Sequence, residues 1–248
     1  MKTTSNLDRC LAFINAQFQP PAPAHGGESA FVRCVTISRQ SGCGARFFAE
    51  ELAALLQARL PHGARPWTVF DRSLVEAVLR DHHLPARLAS FMPEDRVGPL
   101  NDIIEGLFSL HPPTETLVRR ASETILHLAQ LGNAILVGRG GNVITASLPG
   151  MLHLRLVGSL ESRIAHFQQF DHLDRKAALQ RIHREDGGRR RYFKEYFGKD
   201  IDDPLLYHFV INTDWVTRED AAKTIAAYAL NHTAPRAAKA PPAPPKSG

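Results

Sequence analysis

A strand–helix rhythm is what most constrains this chain. Five short runs rich in β-branched and aromatic residues punctuate the sequence: Phe31–Ser38 (FVRCVTIS), Trp67–Asp71 (WTVFD), Ala134–Gly138 (AILVG), Met151–Val157 (MLHLRLV) and Tyr207–Thr213 (YHFVINT). Helical patterns separate them. Phe47–Leu60 sets Phe47, Phe48, Leu52, Leu55 and Leu56 near i, i+4 spacing, Thr114–Leu131 is closed by Gly132, and Thr217 with Asp220 opens a last helix. Strands alternating with helices make βαβ units, which need a parallel sheet covered on both faces. The expected class is therefore α/β. The rhythm breaks after the second strand, where Pro85–Pro113 carries five prolines and reads as a lid-like insert of short helices and loops.

Composition excludes several alternatives. With 44% hydrophobic and 22% charged residues in 248, the chain can bury a core. No apolar run reaches the roughly 18 residues of a membrane span, and no signal-type segment follows the start, so a cytoplasmic protein without membrane contact is expected. Cys10, Cys34 and Cys43 are too few for a disulfide scaffold and form no CxxC pair for zinc. Of the net charge of +5, the acid-free tail supplies three through Arg236, Lys239 and Lys246. The remaining +2 disfavours nucleic acid as partner and suits a small polyanion. The expected organisation is an N-terminal helix and linker over 1–30, a domain over 31–231 with a lid near 181–199, and a disordered, proline-rich tail over 232–248.

The first strand runs into Ser38-Arg39-Gln40-Ser41-Gly42-Cys43-Gly44-Ala45-Arg46, and a helix follows. Such a turn can cradle phosphate with backbone N–H groups and a helix N-terminus, its glycines letting the anion approach. A plain tight turn is the alternative. The Rossmann fingerprint fails, because Phe47 stands at the third glycine. Against GxxxxGK[ST], Arg39 replaces the first glycine, Ala45 the lysine and Arg46 the Ser/Thr, while Gly44 fits and Gly42 and Ser41 support it. Arg39 and Arg46 can restore charge, but neither can bind a metal. From the first turn of the helix, Arg46 is expected to fold back toward the β/γ-phosphates. Cys43, at a helix N-terminus beside these arginines, is expected to favour its thiolate.

Arg139 and Asp71 end strands, where ligands of parallel sheets bind. Arg139 can grip an acceptor phosphate bidentately or pair with a nearby carboxylate. Asp71 can orient a hydroxyl or, through water, a metal, or it can cap the next helix. The run Arg181–Tyr192 holds five arginines interrupted by Gly187-Gly188. It reads as a hinged phosphate-closing lid, a nucleic-acid patch or a plain surface, with Asp200, Asp202 and Asp203 as potential partners.

Taken in order, SRQSGCGAR, VFDRSLVEAV, VGRGGNVI, HREDGGRRRYFKEYFG and DIDDPLLYHFVINT resemble the cytidylate kinase-like family of P-loop proteins. The resemblance implies a three-layer α/β/α P-loop kinase fold with five parallel strands in order 2-3-1-4-5. It implies that Ser41 to Arg46 hold donor phosphates, that Arg139 meets the acceptor monophosphate, and that Arg184 and Arg189 close on the transferring group. Gly140 departs from it, standing where cytidylate kinases proper carry aspartate. The expected function is ATP-dependent phosphoryl transfer, with Mg²⁺, to a nucleoside monophosphate or similar small phosphate acceptor. Catalytic roles are expected for Arg46, Arg184 and Arg189, nucleotide contacts for Arg39, Ser41, Gly42, Cys43, Gly44, Ala45 and Arg46, and acceptor contacts for Asp71 and Arg139. No protein ligand for the metal is identified. A nucleotide sensor without turnover is the competing reading.

Overall fold

The computed structural model describes residues 32–60, 65–71 and 116–231. The expected N-terminal helix, the proline-rich insert and the tail lie outside the described residues. Within them the chain runs β1 (Cys34–Arg39), α1 (Ala45–Gln57), β2 (Thr68–Phe70), α2 (Thr116–Leu131), β3 (Ala134–Val137), α3 (Gly141–Ile144), β4 (Met151–Val157), α4 (Leu160–Phe170), α5 (Arg175–Phe197), a 3-10 turn (Pro204–Leu206), β5 (Phe209–Asn212) and α6 (Arg218–Asn231). The strands form one parallel sheet in the order β2-β3-β1-β4-β5. The class and strand order expected from the resemblance are the ones observed.

The strands alternate their side chains between two cores. On one face Val35, Ile37, Ile135, Leu152, Leu154 and Leu156 pack against Phe48, Leu52 and Leu56 of α1 and Ala222 and Ile225 of α6. On the other, Cys34, Leu136 and Met151 pack against Ile125, Leu126 and Leu128 of α2 and Phe193 and Phe197 of α5. This second face turns polar toward the C-terminal ends of β1 and β4, where Thr36, Ser38, His153 and Arg155 are buried. The Thr36 hydroxyl and His153 Nδ1 share a 2.8 Å hydrogen bond. Arg155 donates to Ser38 Oγ at 2.9 Å and to Asp202.

Helix ends follow the local sequence. Ser159 caps α4 by accepting from the Ser162 N–H, and Asp174 caps α5 by accepting from the Ala177 N–H. Gly198 ends α5 in the left-handed conformation. At the start of α6 the Asp220 N–H donates to the Thr217 hydroxyl at 3.1 Å, and that hydroxyl donates to the Asp220 carboxylate. Trp215, in the turn between β5 and α6, is 87% exposed.

Candidate functional site

Parallel pairing sets Ile37 opposite Val137 and Arg39 opposite Leu156, so the turns after β1 and β3 adjoin. Gly138 has φ +89°, and a Cβ there would lie 1.9 Å from Arg39 Nη1. The Arg39 guanidinium thus packs where glycine leaves space. Burial lowers its pKa to about 10; Arg189 and Arg139 push the same way, against Glu185 and Asp71.

In the turn after β1, the N–H groups of Gly42 and Gly44, and of Ala45 and Arg46 in the first turn of α1, donate to nothing among the described residues. Gly42, at φ +88°, is required for a reason the sequence does not show: a Cβ would lie 2.7 Å from the Arg163 carbonyl of α4. The Ser41 N–H is engaged. It donates to Asp186 Oδ1 at 2.8 Å, and the Ser41 hydroxyl donates to Glu185. Both carboxylates belong to α5. Arg163 Nη1 donates to Asp186 at 2.6 Å and to the Ser41 carbonyl at 3.3 Å. Arg189 bridges Asp186 and Glu185, each at 2.9 Å, and Arg181 holds Glu185 at 2.9 Å. Burial raises the pKa of Glu185, but the bonds from Ser41, Arg181 and Arg189 outweigh it and hold the group down at about 2.

Two cavities flank this knot. One, of about 580 Å³, lies over the polar face of the sheet and is lined by Arg39, Arg139, Arg184, Arg189, Asn142 and Tyr192 among others. The other, of about 660 Å³, runs along the glycine turn to Asp71, Phe47, His166 and Phe170. Arg39, Arg181, Glu185 and Arg189 line both, so the cavities meet at these side chains.

Most of the residues singled out in the sequence converge here. Arg139 sits in the left-handed region at φ 57° on the wall of the first cavity, and exposed Arg184 lines the same wall. Asp71 lines the second cavity; its capping alternative lies outside the described residues. Arg46 differs from expectation. Its side chain is 70% exposed, and its Nε pairs with Glu50 Oε1 at 3.1 Å along α1, so it stands at the rim without folding over the turn. Cys43 is also corrected. Its thiol is buried in the core beside α1, and burial pushes its pKa up to about 11, which disfavours the expected thiolate. Asp202 pairs with Arg190 at 2.9 Å as well as with Arg155. The sequence reading missed Arg163 and Arg155, lone arginines with no motif, and gave no role to Glu185 and Asp186.

Some arrangements can be set against a metal. The described residues contain no group of three or more His, Cys, Asp or Glu side chains able to hold an ion. Arg46 occupies the position of the usual hydroxyl ligand, and the Ser41 hydroxyl is bound to Glu185. These residues do not fit a protein-built Mg²⁺ site.

A parallel α/β domain with a glycine turn and converging arginines at the C-terminal edge of its sheet is an arrangement suited to anionic ligands. The chain belongs to the cytidylate kinase-like family, whose model matches residues 34–215. That membership gives it a kinase-like, nucleotide-binding character. An uncharacterized protein from Eubacterium ventriosum has a similar fold, with TM-score 0.61 and 18% identity, over 81% of this chain and 99% of its own. Shikimate kinase from Acinetobacter baumannii, solved with shikimate, aligns at TM-score 0.39 and 13% identity over 81% of this chain and 94% of its own. TT1252 from Thermus thermophilus aligns at 0.41 and 15%, over 82% and 99%. No curated protein matches the chain. No helix among the described residues is long and apolar enough to cross a membrane.

Proposed function

We propose that the chain is an ATP-dependent phosphotransferase acting on a nucleoside monophosphate or a similarly small phosphate-bearing acceptor. The observation that carries this reading is that two cavities, one along the glycine turn and one over the sheet, share Arg39, Arg181 and Arg189 where they meet. Phosphoryl transfer needs two anions held in line and the charge between them neutralised. In the proposed reaction an acceptor oxygen bonds the γ-phosphorus as the bond to the β–γ bridging oxygen breaks, and ADP leaves. The N–H groups of Gly42, Gly44, Ala45 and Arg46, unengaged among the described residues, would hold the donor phosphates. Arg139 and Arg184 would hold the acceptor, and Arg39 and Arg189 would face the transferring group. Cys43 would contribute its backbone, Asp71 would orient an acceptor hydroxyl, and Arg46 would have to leave Glu50 to reach a phosphate. Mg²⁺ would enter only with the nucleotide, as part of the substrate.

A second reading, a nucleotide sensor without turnover, is favoured by the missing loop lysine and metal ligand. One assay separates the two. A panel of nucleoside monophosphates with ATP and Mg²⁺, read by ADP release, is expected to give acceptor-dependent turnover. Binding of ATP with no ADP release for any acceptor would select the sensor.

A further inference from the structure

The acidic pair in the arginine-rich helix is placed unlike the exposed carboxylates among the described residues. Asp186 is 8% exposed and accepts from a backbone N–H of the glycine turn, and Glu185 accepts from the hydroxyl of the same residue. Arg163, Arg181 and Arg189 complete the set of donors around the two groups. N–H, hydroxyl and guanidinium donors converging on clustered anionic oxygens are also what a phosphate requires.

We propose that Glu185 and Asp186 form an internal anion that holds the mouth of the glycine turn, and that the terminal phosphate of a nucleoside triphosphate displaces it. The inference rests on the nucleotide reading above and deepens it. The inner donors, on Gly42, Gly44 and the first turn of α1, stay available, whereas the outer donor on Ser41 is taken. A triphosphate therefore competes with two carboxylates already in contact with the donors it needs. Once displaced, the pair leaves Arg163 and Arg189 to the incoming phosphate, so one anion is exchanged for another. The apparent affinity falls by the fraction of molecules whose mouth is open.

The helix is built to allow the exchange. Gly187 and Gly188 follow the acidic pair directly in α5, and two adjacent glycines are the weakest point of a helix interior. Among the described residues neither is required by packing: a Cβ on Gly188 meets nothing within 4 Å, and one on Gly187 meets only Arg191 Nη1 at 3.6 Å. Local unwinding of this turn withdraws both carboxylates while Phe193 and Phe197 stay in the core.

Calorimetric titration of ATP into four proteins tests this: wild type, E185Q/D186N, Gly187→Ala and Glu161→Gln. E185Q/D186N is expected to bind at least about tenfold more tightly than wild type. Gly187→Ala, which stiffens the turn and touches no ligand, is expected to bind about fivefold more weakly. Glu161, exposed at the start of α4, pairs with Arg175 and lines neither cavity. Its neutralisation controls for added positive charge and is expected to change affinity by less than about twofold. Wild-type binding with no gain in E185Q/D186N beyond that of Glu161→Gln, or with no loss in Gly187→Ala, would overturn the internal anion while leaving the nucleotide reading in place. Absence of ATP binding in all four would overturn the nucleotide reading itself. If E185Q/D186N does not fold, the comparison of Gly187→Ala with wild type decides the matter alone.

Discussion

Arg39 shows what the site asks of one residue. Its guanidinium is half-buried against Gly138 with two other arginines nearby, and its pKa is lowered to about 10. A base held below its unfolded value opposes folding while charged. The penalty is in force below about pH 10 and is relieved as pH rises from there toward the ordinary value of 12.5. A bound anion relieves it at neutral pH instead. Arg39→Met, whose unbranched chain fills much of the same space, is therefore expected to melt at or above the wild-type temperature and to lose the ATP-dependent rise in melting temperature. Thermal scans at pH 7.5 with and without ATP check this. A fall of many degrees with the ATP response intact would mean that Arg39 is structural. Much of the site was visible at this scale, because strand-end arginines and a glycine turn carry recognisable spacing. Glu185 and Asp186 also had a signal: Arg181, Glu185 and Arg189 stand four apart and had to meet on one helix face. Arg163 had none, since its importance comes from α4 crossing over Gly42.

Among the elements, β1 and β4 are joined by more than their ladder. His153 on β4 bonds Thr36 on β1 and accepts no charge readily: burial, followed by the neighbouring His208, lowers its pKa to about 3. The unfolded chain takes up this proton near 6.5, the fold only near 3. This part of the stability is whole above about pH 6.5 and declines as pH falls from there toward 3, by up to about 1.4 kcal/mol per unit. His153→Gln keeps a hydrogen-bonding side chain that does not titrate. Urea unfolding at pH 7.5, 6 and 5 is expected to show wild-type stability dropping over this range and a shallower slope in the variant; parallel slopes would rule out His153 as the source. Element boundaries were legible to within a few residues, and Met151–Val157 to the residue. Helix α5 was harder. Gly187-Gly188 suggested a hinge, and the sequence did not show that one helix carries it: α5 runs unbroken from Arg175 to Phe197 between an Asp174 cap and a Gly198 stop, tied across the glycines by Arg189 to Glu185 and Asp186.

For the molecule as a whole, periodicity announced a parallel sheet but could not order it. Short apolar strands such as Ala134–Val137 look alike from either face, so register is not written in them; the order came from the family resemblance. The convergence of two cavities on shared arginines belongs only to the folded chain, because it depends on α5 lying across the C-terminal ends of β1 and β3.

The turn between β5 and α6 has an optical consequence. Thr213, Thr217 and Arg218 line a cleft beside the glycine turn, and Trp215 stands among them with its indole 87% exposed. The chain has one other tryptophan, Trp67, just before β2 at the far edge of the sheet. A Trp67→Phe protein therefore carries a single tryptophan, close to the proposed nucleotide cleft. ATP is expected to shift its emission to shorter wavelength as the indole loses water, and fast mixing would time the arrival of ligand without any attached dye. An emission spectrum unchanged at saturating ATP would show that this turn stays apart from the bound nucleotide.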